Sequence, residues 1–139
     1  MTNKYQAFGF IIESPYPIIQ VEEADEEAVA DIVIRETNLE EISDLPPYAH
    51  RVEENVISFN YTSAGLFRIT NGNLIEFQPS DCCTNEMLSL FLMGSCMGAI
   101  FHQRNLLPIH GSCVTDGKKS ILMVRLITGK THQIRAQFA

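Results

Sequence analysis

The chain has 139 residues, of which 45% are hydrophobic and 19% charged, with a formal net charge of −7 at pH 7; this fits one globular domain, or part of a larger one, and excludes a chain disordered throughout. The charge is uneven: residues 1–60 hold 13 acids against 3 Lys/Arg, and residues 61–139 hold 4 against 7. Phosphate contacts need Lys and Arg, so the acidic front half excludes a nucleic-acid surface there, whereas the mildly basic back half permits a phosphate-bearing ligand.

In chain order, "YQAFGFII" near the start is rich in aromatic and β-branched residues and reads as a strand. "SPYP" follows as a stiff turn, because two prolines fix the backbone. The segment "EEADEEAVADIVIRE" opens as an acidic run, an exposed loop or a helical turn, and closes on "DIVIR", whose alternation reads as a strand. "DLPPYAH" is a second proline break. Three short runs come next, "NVISFNYT", "GLFRIT" and "NLIEFQP", with Asn71-Gly72 between the last two. Asn-Gly is the strongest short hairpin signal, so residues 55–78 are predicted to form an antiparallel meander.

A single helix is predicted over residues 85–103. Thr84 can cap it, and Glu86 in its first turn faces the positive end of the dipole. From Met87 to Phe101 there is no charged residue. That run falls short of the roughly 20 residues needed to cross a bilayer, and its apolar character on nearly every face fits a helix buried in a core. Gly94 and Gly98 form a GxxxG spacing, read here as close packing against a sheet. Beyond the helix, "LLPIHGSCVTDGKKSILMV" reads as strand, turn at Asp116-Gly117, and strand; "SILMV" has the continuous apolar pattern of a buried central strand.

The cysteines, Cys82, Cys83, Cys96 and Cys113, form no CxxC pair, and the N-terminus lacks a signal-peptide layout. The expectation is a cytoplasmic protein with free, mostly buried thiols and no zinc site.

The closing stretch "MVRLITGKTHQIRAQFA" contains Gly129-Lys130-Thr131, the end of a phosphate-binding loop of the form G-x-x-x-x-G-K-[ST]. In such a loop backbone N–H groups cradle phosphates, the Lys neutralises their charge, and the Ser/Thr hydroxyl ligates magnesium. The setting between a buried strand and a helix start is right. The opening position, however, is Val124 instead of glycine, and bulky Ile127 stands where small residues let the backbone close.

The order "FGF", "FRITNGNLIEF" and "LMGSCMGAIFHQRNLLPIHGSCVTDGKKSILMV" resembles the HPr kinase-like family, related to HPr kinase/phosphatase and including kinases found with lasso-peptide biosynthesis genes. The resemblance covers most of residues 5–123, and "LLPIHGSCV" is its most specific part. It implies ATP and Mg2+ as cofactors, with Gly129, Lys130 and Thr131 binding phosphate and Thr131 also ligating the metal. It also implies that His110 lies beside the nucleotide; the alternative is a hydrogen-bonded core histidine. The implied reaction is transfer of a phosphoryl group to a Ser hydroxyl of a peptide or protein. The chain stops where that family's acidic catalytic residues would begin, so truncation and inactivity at this length are expected.

The last stretch, "RLITGKTHQIRAQFA", also resembles the third signature of RluA-type pseudouridine synthases. That family would make Arg135 the basic residue supporting a catalytic aspartate. The nearest counterpart of its aspartate signature is His50-Arg51-Val52-Glu53, with Glu for Asp and the wrong spacing to "TSAG" at residues 62–65. The expectation drawn from all this is an α+β chain. A β-rich region over 1–83 is followed by the helix and the start of a P-loop kinase-like core over 84–139. Its partners would be a nucleotide and a peptide or protein acceptor, with no nucleic acid or membrane, and with homo-oligomerisation left open. An RNA pseudouridine synthase fragment and a non-catalytic binding or assembly module are the alternatives.

Overall fold

The computed structural model describes residues 2–108, 111–118 and 120–124. It is an α+β structure that divides into two compact units, Met1–Asn105 and Leu106–Ala139.

The first unit is an eight-stranded sheet with one helical rod on it. Its strands are β1 (Asn3–Ala7), β2 (Phe10–Ser14), β3 (Glu22–Glu23), β4 (Ile32–Glu36), β5 (His50–Val52), β6 (Val56–Tyr61), β7 (Gly65–Thr70) and β8 (Leu74–Pro79). Across the sheet they lie in the order β3-β1-β2-β4-β8-β7-β6-β5. The expected meander is present: β6 to β8 pair antiparallel in register, with Phe59 opposite Phe67 and Phe67 opposite Phe77. Asn71 and Gly72 both adopt positive φ at the β7–β8 turn, the conformation that Asn-Gly accommodates with least strain.

Two features depart from the sequence expectation. "YQAFGFII" is not one strand but the hairpin β1–β2, because Phe8 (φ 55°) and Gly9 (φ 79°) both turn into the left-handed region. The sheet is also mixed: β4 is inserted between β2 and β8 and runs parallel to both.

Period-2 alternation places Ile12, Ile32, Ile34, Phe67, Ile69, Ile75 and Phe77 in the core. Against them lies the rod, α1 (Asn85–Phe91) and α2 (Met97–Gln103) joined by a π-helical segment, Leu92–Cys96. Its ends match the prediction, and the π segment was not anticipated. The Thr84 hydroxyl accepts a bond from the Met87 N–H at 3.2 Å, the expected cap. Leu88, Leu92, Cys96, Met97, Ala99 and Ile100 are its buried side chains in the core, and Phe91 stacks on Tyr61 at 4.3 Å between ring centroids. Among the described residues no helix is long and apolar enough to cross a membrane. On the opposite face of the sheet, a short 3-10 turn, Glu40–Ile42, helps pack Leu39, Ile42 and Leu45 against Leu66 and Ala49.

The GxxxG reading is corrected. A Cβ built on Gly94 or Gly98 meets nothing within 4 Å, so neither glycine mediates a close approach among the described residues. Gly65 is the opposite case: its φ is 132°, and a Cβ there would collide with the backbone of Gln78.

The second unit contains the predicted strand-turn-strand, β9 (Gly111–Thr115) and β10 (Ser120–Val124), paired antiparallel. Asp116 Oδ1 accepts the Lys118 N–H at 2.9 Å, and Gly117 has φ 86°, which closes the turn. Among the described residues β10 pairs with β9.

These contrasts give opposite signs for two glycine substitutions. Gly98→Ala is expected to stabilise the chain to urea by up to about 1 kcal/mol, through helix propensity alone. Gly65→Ala is expected to destabilise it by about 2–4 kcal/mol. A strongly destabilising Gly98→Ala would reinstate the close-packing reading.

Candidate functional site

The loop proposed from sequence follows β10 directly. Val124 pairs with Gly111 in the last rung of the β9–β10 ladder. The chain therefore leaves toward residue 125, and enters from residue 110, at the same end of this strand pair. His110, Gly129, Lys130, Thr131 and Arg135 themselves lie outside the described residues. Val124 is a ladder residue of a strand, and a β-branched side chain there does not supply the glycine geometry with which a phosphate loop opens.

Within the first unit, two concavities flank the rod. A groove of about 470 Å³ runs between residues 19–21 and the rod, lined among others by Ile19, Val21, Leu90, Met93 and Gly94. Its wall is positioned by Ser89, whose hydroxyl accepts the Ile19 N–H at 3.1 Å. Among the described residues Glu86 is its only ionisable lining group, so the groove has the character of an apolar surface and not of an acid–base site.

The second concavity, about 240 Å³, is lined by Tyr16, Phe77, Pro79, Ser80, Cys83, Thr84, Asn85 and Leu88. The Tyr16 hydroxyl donates to the Glu36 carboxylate, and that bond, with burial, holds its pKa above the usual tyrosine value. Burial and the neighbouring Cys82 push the Cys83 thiol up as well. Both groups thus stay protonated at neutral pH, and neither is set up as an ionised nucleophile. Among the described residues no group of three or more His, Cys, Asp and Glu could hold a metal ion.

Sequence reasoning missed the two residues that do most to fix the end of the rod. Gln103 Oε1 accepts the Gly72 N–H at 2.7 Å, while its Nε2 donates to the carbonyls of Ile69 and Asn55 at 3.0 and 3.1 Å. Arg104 Nε donates to the Gly72 carbonyl at 2.6 Å and its Nη2 to that of Asp31 at 3.1 Å. Its guanidinium also lies 4.7 Å from the centre of the Phe10 ring, within cation–π range. In the sequence, His102, Gln103 and Arg104 stand out only as a polar, basic end to an apolar helix. The His50-Arg51-Val52-Glu53 string, for its part, falls on edge strand β5 and the following turn; Arg51 pairs with Asp44 at 2.9 Å.

No protein-family model, curated protein or solved structure matches the chain.

Cys82, Cys83 and Cys96 are free, as expected, but of these three only Cys96 is buried; Cys83 is half-buried and Cys82 exposed. Burial also drives the Cys96 pKa far upward. Iodoacetamide labelling of the native chain near pH 8, read by peptide mass spectrometry, should therefore modify Cys82 first and Cys83 more slowly. Cys96 should react only on unfolding; labelling of native Cys96 as fast as Cys82 would contradict this packing.

Proposed function

We propose that the chain is an HPr kinase-like protein, truncated and inactive at this length, whose ancestral reaction is nucleotide-dependent phosphoryl transfer to a Ser hydroxyl of a peptide or protein, and that its phosphate loop has lost most of its grip. The observation that carries the reading is the run of β10 up to Val124, the opening position of the loop that closes on Gly129-Lys130-Thr131. Strand, loop and helix start in that order are the context a phosphate loop requires. The "LLPIHGSCV" stretch ahead of it supports the same family.

The missing glycine limits what the site does. A phosphate loop binds chiefly through several backbone N–H groups aimed at one phosphate. Val124, in the strand ladder, is not the glycine whose conformational freedom lets such a loop turn its N–H groups toward one phosphate. Lys130 by itself supplies one ammonium, which gains little in water at physiological salt. The residues do not fit a tightly held magnesium nucleotide, so no phosphoryl-transfer step is assigned to this chain.

Calorimetric titration with magnesium ATP tests the reading. The unaltered chain is expected to bind weakly or not at all. Replacing residues 124–128 with a Gly-rich segment should tighten binding by about tenfold or more, the effect of regaining one or two well-aligned donors. Lys130→Ala in the restored chain should abolish the gain. Tight binding by the unaltered chain, or no gain on restoration, would remove the phosphate-loop reading.

A further inference from the structure

The sheet of the first unit ends on β5, which pairs with β6 on one side and with no strand on the other among the described residues. Antiparallel ladders alternate between residues bonded to the partner strand and residues whose N–H and C=O point away. The Asn60 N–H donates to Ala49 O at 3.0 Å and the Glu53 N–H to Val56 O at 2.8 Å, and Arg51 lies opposite Ser58. Residues 49, 51 and 53 therefore face β6. His50 and Val52 present their N–H and C=O groups outward, a short open template for another strand.

The side chains around this template are unusual for an exposed edge. Val52 is 59% exposed beside the core strand β6, and Tyr48 at the head of the strand is 71% exposed. Tyr48 has φ 60°, a conformation a bulky residue rarely adopts. The charges are one-sided: Asp44, Glu53 and Glu54 are exposed around the strand, and its one cation, Arg51, is paired to Asp44.

We infer that β5 is a docking edge for an extended basic peptide segment, which adds as a ninth strand to the sheet. His50 and Val52 would supply the main-chain bonds, Val52 and Tyr48 the apolar contacts, and the exposed Glu53 and Glu54 the charge selection. The same carboxylates decide against a second copy of this chain as occupant, because two β5 edges would bring like charges together. The edge lies in the first unit and is independent of the nucleotide reading.

The probe is a fluorescent peptide of alternating Lys and Val, seven residues long, titrated with the full chain by anisotropy at low salt. Binding is expected, and it should weaken as salt rises. The same sequence with every backbone nitrogen methylated, and a Glu-for-Lys version, should each bind about tenfold or more weaker, as expected for losing main-chain bonds or charge attraction. Val52→Pro removes an outward N–H while leaving the bonds to β6 in place, and should cause a comparable loss. Should that variant fail to fold, the methylated peptide on the unaltered chain carries the test. Equal binding of the methylated peptide would reduce the effect to charge alone and overturn the proposal. So would equal binding of the Glu peptide, undiminished binding to a folded Val52→Pro chain, or no binding of the Lys–Val probe. Self-association of the chain that Val52→Pro abolishes would assign the edge to a second copy and also overturn it.

Discussion

The first unit depends on how the end of the helical rod is joined to the sheet. Hydrophobic contact is non-directional, and the apolar inner face of this sheet would accept a helix at more than one angle and register. Gln103 and Arg104 remove that freedom. Between them they bond the Asn71-Gly72 turn, Ile69 on β7, Asn55 before β6 and Asp31 before β4. Their side chains reach backbone groups at one end of the sheet, the Gly72 N–H among them, and so orient the rod as well as satisfying that turn. Gly72 is part of the requirement: a Cβ there would stand 2.9 Å from Arg104 Cγ.

The other end of the rod is held differently. Ser89 and Asn85 bond the residue 17–19 segment, and Thr84 caps the first turn. Between the two ends, Tyr61 stacks on Phe91 and donates to the Ser95 hydroxyl at 3.1 Å in the π-helical segment. The rod is thus fixed by polar contacts along its length as well as by its buried apolar face. The sheet in turn presents its β5 edge in one defined geometry, which an added strand requires, since a one-residue slip would reverse every side chain.

Much of this architecture was legible in the sequence where the signals are local. Asn71-Gly72 marked its turn because both residues tolerate positive φ, and Thr84 marked the helix start because its hydroxyl reaches the Met87 N–H. Phe8 also sits at positive φ, but nothing in a phenylalanine announces this, so the β1–β2 hairpin read as one strand. The parallel insertion of β4 is non-local: Ile32–Glu36 alternates as any half-buried strand does, and its neighbours are chosen by the whole sheet. Strand β5 escaped notice because His50, Arg51 and Val52 carry only one β-branched residue among them. Of the candidate site, the strand leading to the loop was foreseen. His110 and Gly129-Lys130-Thr131 lie outside the described residues, and what the structure adds is that Val124 belongs to a ladder.

The join at Gln103 is most directly tested at one amide. A turn N–H such as that of Gly72 ordinarily exchanges with solvent quickly, since local opening of a surface turn costs little. Here it is bonded to the Gln103 side chain at 2.7 Å. Native-state hydrogen exchange followed by NMR should find the Gly72 amide protected to nearly the same degree as Ile69 and Ile75 in the core. In Gln103→Leu its protection should collapse while theirs remains. A Gly72 amide that exchanges in the unaltered chain as freely as an exposed turn would contradict the account that sheet and rod are locked at this point.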